Sequence, residues 1–200
     1  MDLLHFDLIS FIKAAGILGV SAIVFAESGL LVGFFLPGDS LLFTAGFLAS
    51  QGWLPIIPLV LLSFLCAALG DSVGYAFGRR IGPTLFSRED SLMFSKKNVT
   101  RTQRYFEKYG ARTIFIARFI PIVRTFAPIL AGVGGMRYKI FIRYNVLGAG
   151  IWGAGIPFLG YFLGSVIPNI DRYLLPIIVG IILLSIIPPL ISIIREHIKL

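Results

Sequence analysis

Five charged side chains stand in stretches that are otherwise apolar: Glu27, Asp39, Asp71, Arg118 and Arg124. A charge at the centre of a bilayer costs about 2.5–3.5 kcal/mol on insertion scales, so five facing lipid would together cost about 15 kcal/mol. That matches the whole stability of an ordinary domain, so the five must pair with one another or reach water. Three acids and two bases nearly neutralise one another, and a purely structural ion-pair network is one way to satisfy them.

The residue types also suggest work. Arg118 and Arg124 carry planar, permanently charged guanidinium groups that match phosphate oxygens in a bidentate way, which makes them anion hooks. Glu27 and Asp39 can titrate, and burial and a neighbouring arginine act oppositely on a carboxyl's hold on its proton. Either acid could therefore exchange a proton as an anion arrives or leaves. Asp39 has a plainer reading as N-cap of the helix "SLLFTAGFLA". Asp71 lies among Gly70, Gly74, Gly78 and Gly82, whose four-residue spacing marks a close-packing helix face, and is read as structural. Asn145 could donate to a ligand headgroup, while Trp152 is expected to pack or to sit at an interface. No catalytic set is visible: the only histidines, His5 and His197, lie at the ends, and no nucleophile has a nearby base. No metal site or cofactor is expected either.

The elements that must position these residues are membrane helices. Of 200 residues 56% are hydrophobic and 14% charged, with a mean hydropathy of +0.88, more apolar surface than a soluble domain could hide. Disorder is excluded, and Cys66 alone cannot build a disulfide scaffold. The net charge is nevertheless +8. Nine basic and three acidic residues fall between Arg79 and Arg112, so most of the excess belongs to one loop, 79–112, which the positive-inside rule places in the cytoplasm together with the C-terminal tail. Its "NVTRTQRYFEKYG" interleaves basic and aromatic residues, as suits an anionic lipid surface; with apolar runs on both sides, no nucleic-acid partner is expected.

Spanning hydrocarbon takes about 20 apolar residues, and 54–78, 144–167 and 173–194 qualify. The N-terminus lacks the basic start and small-residue cleavage site of a secretory signal and is expected to be retained. Two further stretches do not read as simple crossings. Residues 14–50 are too long for one span and are interrupted by Pro37, Gly38 and Asp39, while 113–135 contain Pro121 and Pro128. Proline removes a backbone donor, so each stretch is expected to form helix, break and helix, a hairpin entering and leaving on one side. Such breaks must face the protein interior or a wet cavity.

Internal repetition agrees. Pro37 and Pro128 are 91 positions apart, as are Glu27 and Arg118; an offset of 86 then relates Ala45-Gly46 to Ala131-Gly132 and "GYAFG" at 74–78 to "GYFLG" at 160–164. With one span between the copies, the second must be inverted, its hairpin dipping from the cytoplasm and the first from outside. The expected fold is an all-α integral membrane protein, a single domain built as an inverted repeat with two opposed re-entrant hairpins plus spanning helices.

Four motifs carry a resemblance: "ESGLLVGFFLPGD" at 27–39, "GDSVGYAFGRRIG" at 70–82, "RFIPIVRTFAPILAG" at 118–132 and "NVLGAGIW" at 145–152. Together they resemble the DedA family, the bacterial branch of the group that includes the VTT-domain lipid scramblases. The resemblance implies a bacterial cytoplasmic-membrane protein that translocates lipids, returning undecaprenyl phosphate for envelope synthesis or acting on phospholipids such as phosphatidylethanolamine. It also implies that Arg118, Arg124, Glu27 and Asp39 are needed for activity. The expected partners are membrane lipids and protons, with a homo-oligomer left open. Two other classes compete: a membrane lipid phosphatase, disfavoured for want of a nucleophile, and a proton-coupled carrier for a small cation or drug, which would use the same carboxylates.

Overall fold

The computed structural model describes residues 8–30, 36–87, 109–110 and 112–166, and among them every regular element is helical. In chain order these are α1 (Leu8–Gly29), α2 (Gly38–Ser50), α3 (Ile56–Ser87), α4 (Arg112–Ala117), α5 (Pro121–Val133), α6 (Tyr138–Ala149), a π-helical turn at Gly150–Ala154, and α7 (Gly155–Val166). The expected span 173–194 and most of the basic loop 79–112 lie outside the described residues. Three stretches are long and apolar enough to cross a membrane: Ile9–Gly29, Ile56–Ile81 and Tyr138–Val166. The chain is thus a multi-pass, all-helical membrane protein.

The helices exceed the apolar runs that announced them. α3 continues past residue 78 to Ser87, because Arg79 and Arg80 end the apolar run without breaking a helix; Arg79 Nη1 donates to Tyr75 Oη one turn back at 2.9 Å. The third span starts at Tyr138 rather than 144, its start set by the turn before it, where Gly135 holds φ 71°. α1 is interrupted at Gly16, whose φ of 59° and ψ of −162° only glycine adopts without cost.

Both proline-bearing stretches contain a break between two helices. In the first, α1 ends at Gly29 and α2 begins after Pro37. In the second, α4 gives way at 118–120 and Pro121 opens α5, the position where a missing N–H is cheapest. Pro128, expected to mark a break, lies instead inside α5, which runs on to Val133. There its ring is fully buried and packs beside Gly74, so tertiary packing sustains the helix through it.

Outward and inward faces are reversed relative to a soluble protein. On α3, Ile57, Leu61, Leu65, Leu69, Val73 and Phe77 recur every fourth residue and are exposed, whereas Ser63, Ala67, Gly70 and Asp71 are buried. Small residues let backbones meet on the inner side. Gly46 of α2 faces the backbone of Pro157 and Gly160 of α7 faces Phe43. Likewise Gly132 of α5 faces Tyr75 and Gly78 of α3 faces Ile129. The two crossings correspond residue by residue: 43 and 46 are each 86 positions from 129 and 132, but 75 and 78 are each 82 from 157 and 160, so the long helices match at 82 and not at the 86 expected from "GYAFG" and "GYFLG". Each short helix thus packs on the long helix of the other half. A methyl at Gly132 would press on Tyr75 O and would lie 2.6 Å from Arg79 N, both backbone atoms that cannot step aside. Gly132→Ala is therefore expected to cost about 1–3 kcal/mol, read as a lower melting temperature in detergent; unchanged melting would contradict the crossing.

Two contacts tie the ends. The Lys13 ammonium lies 3.7 Å above the Trp53 ring, bringing the start of α1 beside the α2–α3 turn. At the opposite end Tyr75 Oη donates to Met136 O, and the Tyr75 ring stacks on Phe141 at 4.6 Å.

Candidate functional site

The tips of both broken stretches converge on one buried cluster. Arg124, one turn into α5, donates through Nη2 to Glu27 Oε1 of α1 and through Nη1 to Asp39 Oδ1 of α2 at 2.7 Å. Arg118, at the break before α5, donates through Nη1 to Asp71 Oδ2 of α3 and to Asn145 Oδ1 of α6 at 3.0 Å. Asn145 is oriented in turn by donating Nδ2 to Ala68 O at 2.9 Å. Trp152 joins the halves: its Nε1 donates to Asp39 Oδ1 at 2.5 Å, and its ring lies 4.6 Å from the Arg124 guanidinium and 5.5 Å from that of Arg118.

Local sequence explains this convergence. Glu27 sits two residues before the end of α1, and its carboxylate lies against Gly38 at the start of α2, where a side chain would overlap it. The start of a helix favours an anion, so the bare glycine opens both space and field for Glu27. Gly148 performs a similar service for Arg118, since a methyl there would lie 3.0 Å from Arg118 Cδ. Trp152 lies within the π-helical turn at Gly150–Ala154 and is buried, on the face that Asn145 and Gly148 also occupy.

All the charged residues singled out from sequence are brought together here, though Asp39 in a changed role. Asp39 is not an N-cap: α2 is capped by Pro37, and Asp39 lies in the first turn with its carboxylate turned to Arg124 and Trp152. Asp71, read as structural, pairs with Arg118, which agrees with that reading. Trp152, read as a packing or interface residue, does pack in the core, and it also donates to Asp39 and stacks beside both arginines. Gly38 belongs to the cluster, while Pro37 and Pro121 shape the breaks and Pro128 packs on α3. Gly148 escaped notice; Asn145, Gly148 and Trp152 recur at steps of three and four, which was the available signal.

With every group ionised, the cluster holds three carboxylates against two guanidiniums, one negative charge in excess. Two polar atoms inside it have no hydrogen-bond partner, Glu27 Oε2 and Arg118 Nε. One acceptor and one donor are thus left for a ligand. Among the described residues no group of His, Cys, Asp or Glu converges as metal ligands would. Trp152→Phe keeps the ring and drops the donor to Asp39, and is expected to cost about 1–3 kcal/mol in detergent melting. Trp152→Leu, which also loses the stacking on both guanidiniums, should cost more; equal effects would assign the role to the N–H alone.

Apolar helices wrapped around buried, paired charges define a polytopic membrane protein with an intramembrane polar site. The chain belongs to the VTT-domain, or DedA, family: the VTT domain matches residues 36–162. Protein DedA of Escherichia coli (strain K12) is 48% identical over 176 residues, covering 87% of this chain and 80% of that protein. An uncharacterized membrane protein of Mycobacterium tuberculosis (strain ATCC 25618 / H37Rv) is 48% identical over 181 residues, 90% of this chain and 79% of its own. Inner membrane protein YghB of Escherichia coli (strain K12) is 34% identical over 152 residues, 76% of this chain and 69% of its own. No solved structure matches the chain.

Proposed function

We propose that this protein moves an anionic lipid phosphate between leaflets, with undecaprenyl phosphate as its substrate and the return of that carrier to the cytoplasmic face of the inner membrane as its role. The observation that carries the reading is the juxtaposition at the second break. Arg118 is buried with Nε unpartnered, while Ile116, Phe119, Ile120 and Val123 around it are exposed and apolar. A headgroup phosphate would take the guanidinium in place of its lost hydration, while the tail stays against the apolar surface beside it. Asn145 orients Arg118 and Trp152 steadies Arg124.

The excess carboxylate supports proton coupling. One proton on Glu27 or Asp39 makes the cluster neutral, and an arriving phosphate would compete with those acids for Arg124. Two opposed re-entrant hairpins related by an inverted repeat suit this reading, and the matched glycine crossings support that symmetry. The Lys13–Trp53 contact, which sets the start of α1 beside the α2–α3 turn, supports a first hairpin that returns to the face it left. In this topology that face is outside, and the basic loop and C-terminus are cytoplasmic.

Proteoliposomes carrying labelled undecaprenyl phosphate test the proposal. Purified protein is expected to equilibrate the label between leaflets, faster with a proton gradient, and to leave phosphatidylethanolamine behind. Transfer of phosphatidylethanolamine in preference would reassign the substrate, and transfer of neither lipid would end the reading. The carboxylate excess also fits a carrier for a small cation; in that case soluble cations would be taken up and the lipid would not move.

A further inference from the structure

Three buried hydroxyls differ from those of four other helical serines. Ser40, Ser50, Ser72 and Ser165 each donate to a carbonyl of their own chain three or four residues back. Ser21, Thr44 and Ser63 have no hydrogen-bond partner at all, although they are 4%, 0% and 0% exposed. A buried hydroxyl without a partner costs about 1–3 kcal/mol, so one such group is a defect and three call for an explanation.

The helix registers place all three at one level. Glu27 of α1 touches Gly38 of α2, and the chain direction reverses between these helices. Stepping six residues from each contact toward the Trp53 end reaches Ser21 and Thr44. Ser28 of α1 touches Gly70 of α3, and both helices start from the Trp53 end. Stepping seven residues back on each reaches Ser21 and Ser63. At about 1.5 Å per residue, the hydroxyls lie about 9–10 Å from those contacts on the Trp53 side. The heptad step from Ser28 and Gly70 keeps Ser21 and Ser63 on the stripes where α1 meets α3. Thr44 lies off the α2 face that Phe43 and Gly46 turn to α7.

We infer that Ser21, Thr44 and Ser63 form a water-holding layer that connects Glu27 with the aqueous phase at the Trp53 face. Glu27 Oε2, a fourth unpartnered oxygen, is the inner end of that path. Two or three waters joined at about 2.8 Å bridge the interval, and each hydroxyl can both donate and accept along the chain. Buried waters of this kind satisfy polar groups that the protein leaves unpaired. The inference rests on the proposed function only in giving its proton a route. The test does not measure transport, so the two can fail separately.

Single cysteines at Ser21, Thr44 and Ser63, in a Cys66→Ser background, change side-chain size little. In nanodiscs, where both faces are open, their reaction with methanethiosulfonate ethylammonium is followed by intact mass. Val20→Cys, Leu42→Cys and Leu59→Cys serve as controls, equally buried on the same three helices. The three hydroxyl positions are expected to react at least tenfold faster than the controls, because the reactive thiolate forms only where water reaches. Rates equal to the controls overturn the layer. Detergent melting confirms that each variant is folded. Because the three positions share one level, any two that fold decide the matter.

Discussion

Arg124→Ala is expected to abolish lipid transfer, lowering its rate by about 100-fold or more, and to destabilise the protein by about 3–5 kcal/mol. The stability loss follows from what remains: Glu27, buried, and Asp39, half-buried, both lose the guanidinium they share. The transfer loss has a separate origin, the removal of a phosphate ligand, and a loss of about 3 kcal/mol of charge-assisted binding corresponds to a factor of about 100. The two effects can be separated. Adding Glu27→Gln and Asp39→Asn to Arg124→Ala removes the stranded charges and should restore much of the melting temperature while transfer stays lost. Recovery of transfer in that triple variant would show that Arg124 only neutralises the acids. Failure of the melting temperature to recover would mean that Arg124 contributes through packing against Trp152 rather than through charge.

Asp71→Asn is the second large effect. Arg118 is 5% exposed, and Asp71 is its drawn carboxylate partner, with Asn145 supplying a neutral acceptor. Loss of the anion leaves a buried guanidinium short of compensation, at a cost of about 3–5 kcal/mol. Replacing the pair together, as Asp71→Leu with Arg118→Met, removes both desolvation penalties and is expected to bring stability back to near wild type. Transfer should remain absent in that pair, because the guanidinium whose Nε is left open for the phosphate is gone while Arg124 stays held by Glu27 and Asp39. Detergent melting and the proteoliposome assay read the two outcomes. Wild-type melting of Asp71→Asn would dissolve the pair, and transfer by the apolar double variant would remove Arg118 from the site.

These experiments turn on pairings that the sequence shows only in part. Charges in apolar stretches are conspicuous because their cost is large, so Glu27, Asp39, Asp71, Arg118 and Arg124 stood out at once. Who pairs with whom is another matter: Asp39 meets Arg124 across 85 positions, Glu27 meets Arg124 across 97 and Asp71 meets Arg118 across 47. Nothing local encodes such a choice. Trp152 illustrates the difficulty, since an indole in a membrane helix suits packing, an interface or a hydrogen bond equally well. Periodicity puts it on the face of Asn145 and Gly148, but its role is decided by Asp39, 113 positions away. The breaks were legible because proline and glycine act through their own backbone. Pro128 differs because its ring is buried inside α5, and a proline's local effect does not tell whether tertiary packing carries the helix through it. Helix ends were underestimated wherever an apolar run was taken for the helix itself, as at Ser87 and Tyr138.

The crossed packing of the two halves has a consequence for biogenesis. Gly46 emerges from the ribosome 111 residues ahead of its partner Pro157, and Asp39 emerges 85 residues ahead of Arg124. At about 5–20 residues per second, Asp39 waits roughly 4–17 s for its arginine, and Glu27 slightly longer. During that interval the newly made first half carries two carboxylates, Glu27 and Asp39, before the guanidinium they share exists. The first half therefore enters the membrane before its counter-charge exists, and its acids must meanwhile stay in contact with water or carry a proton.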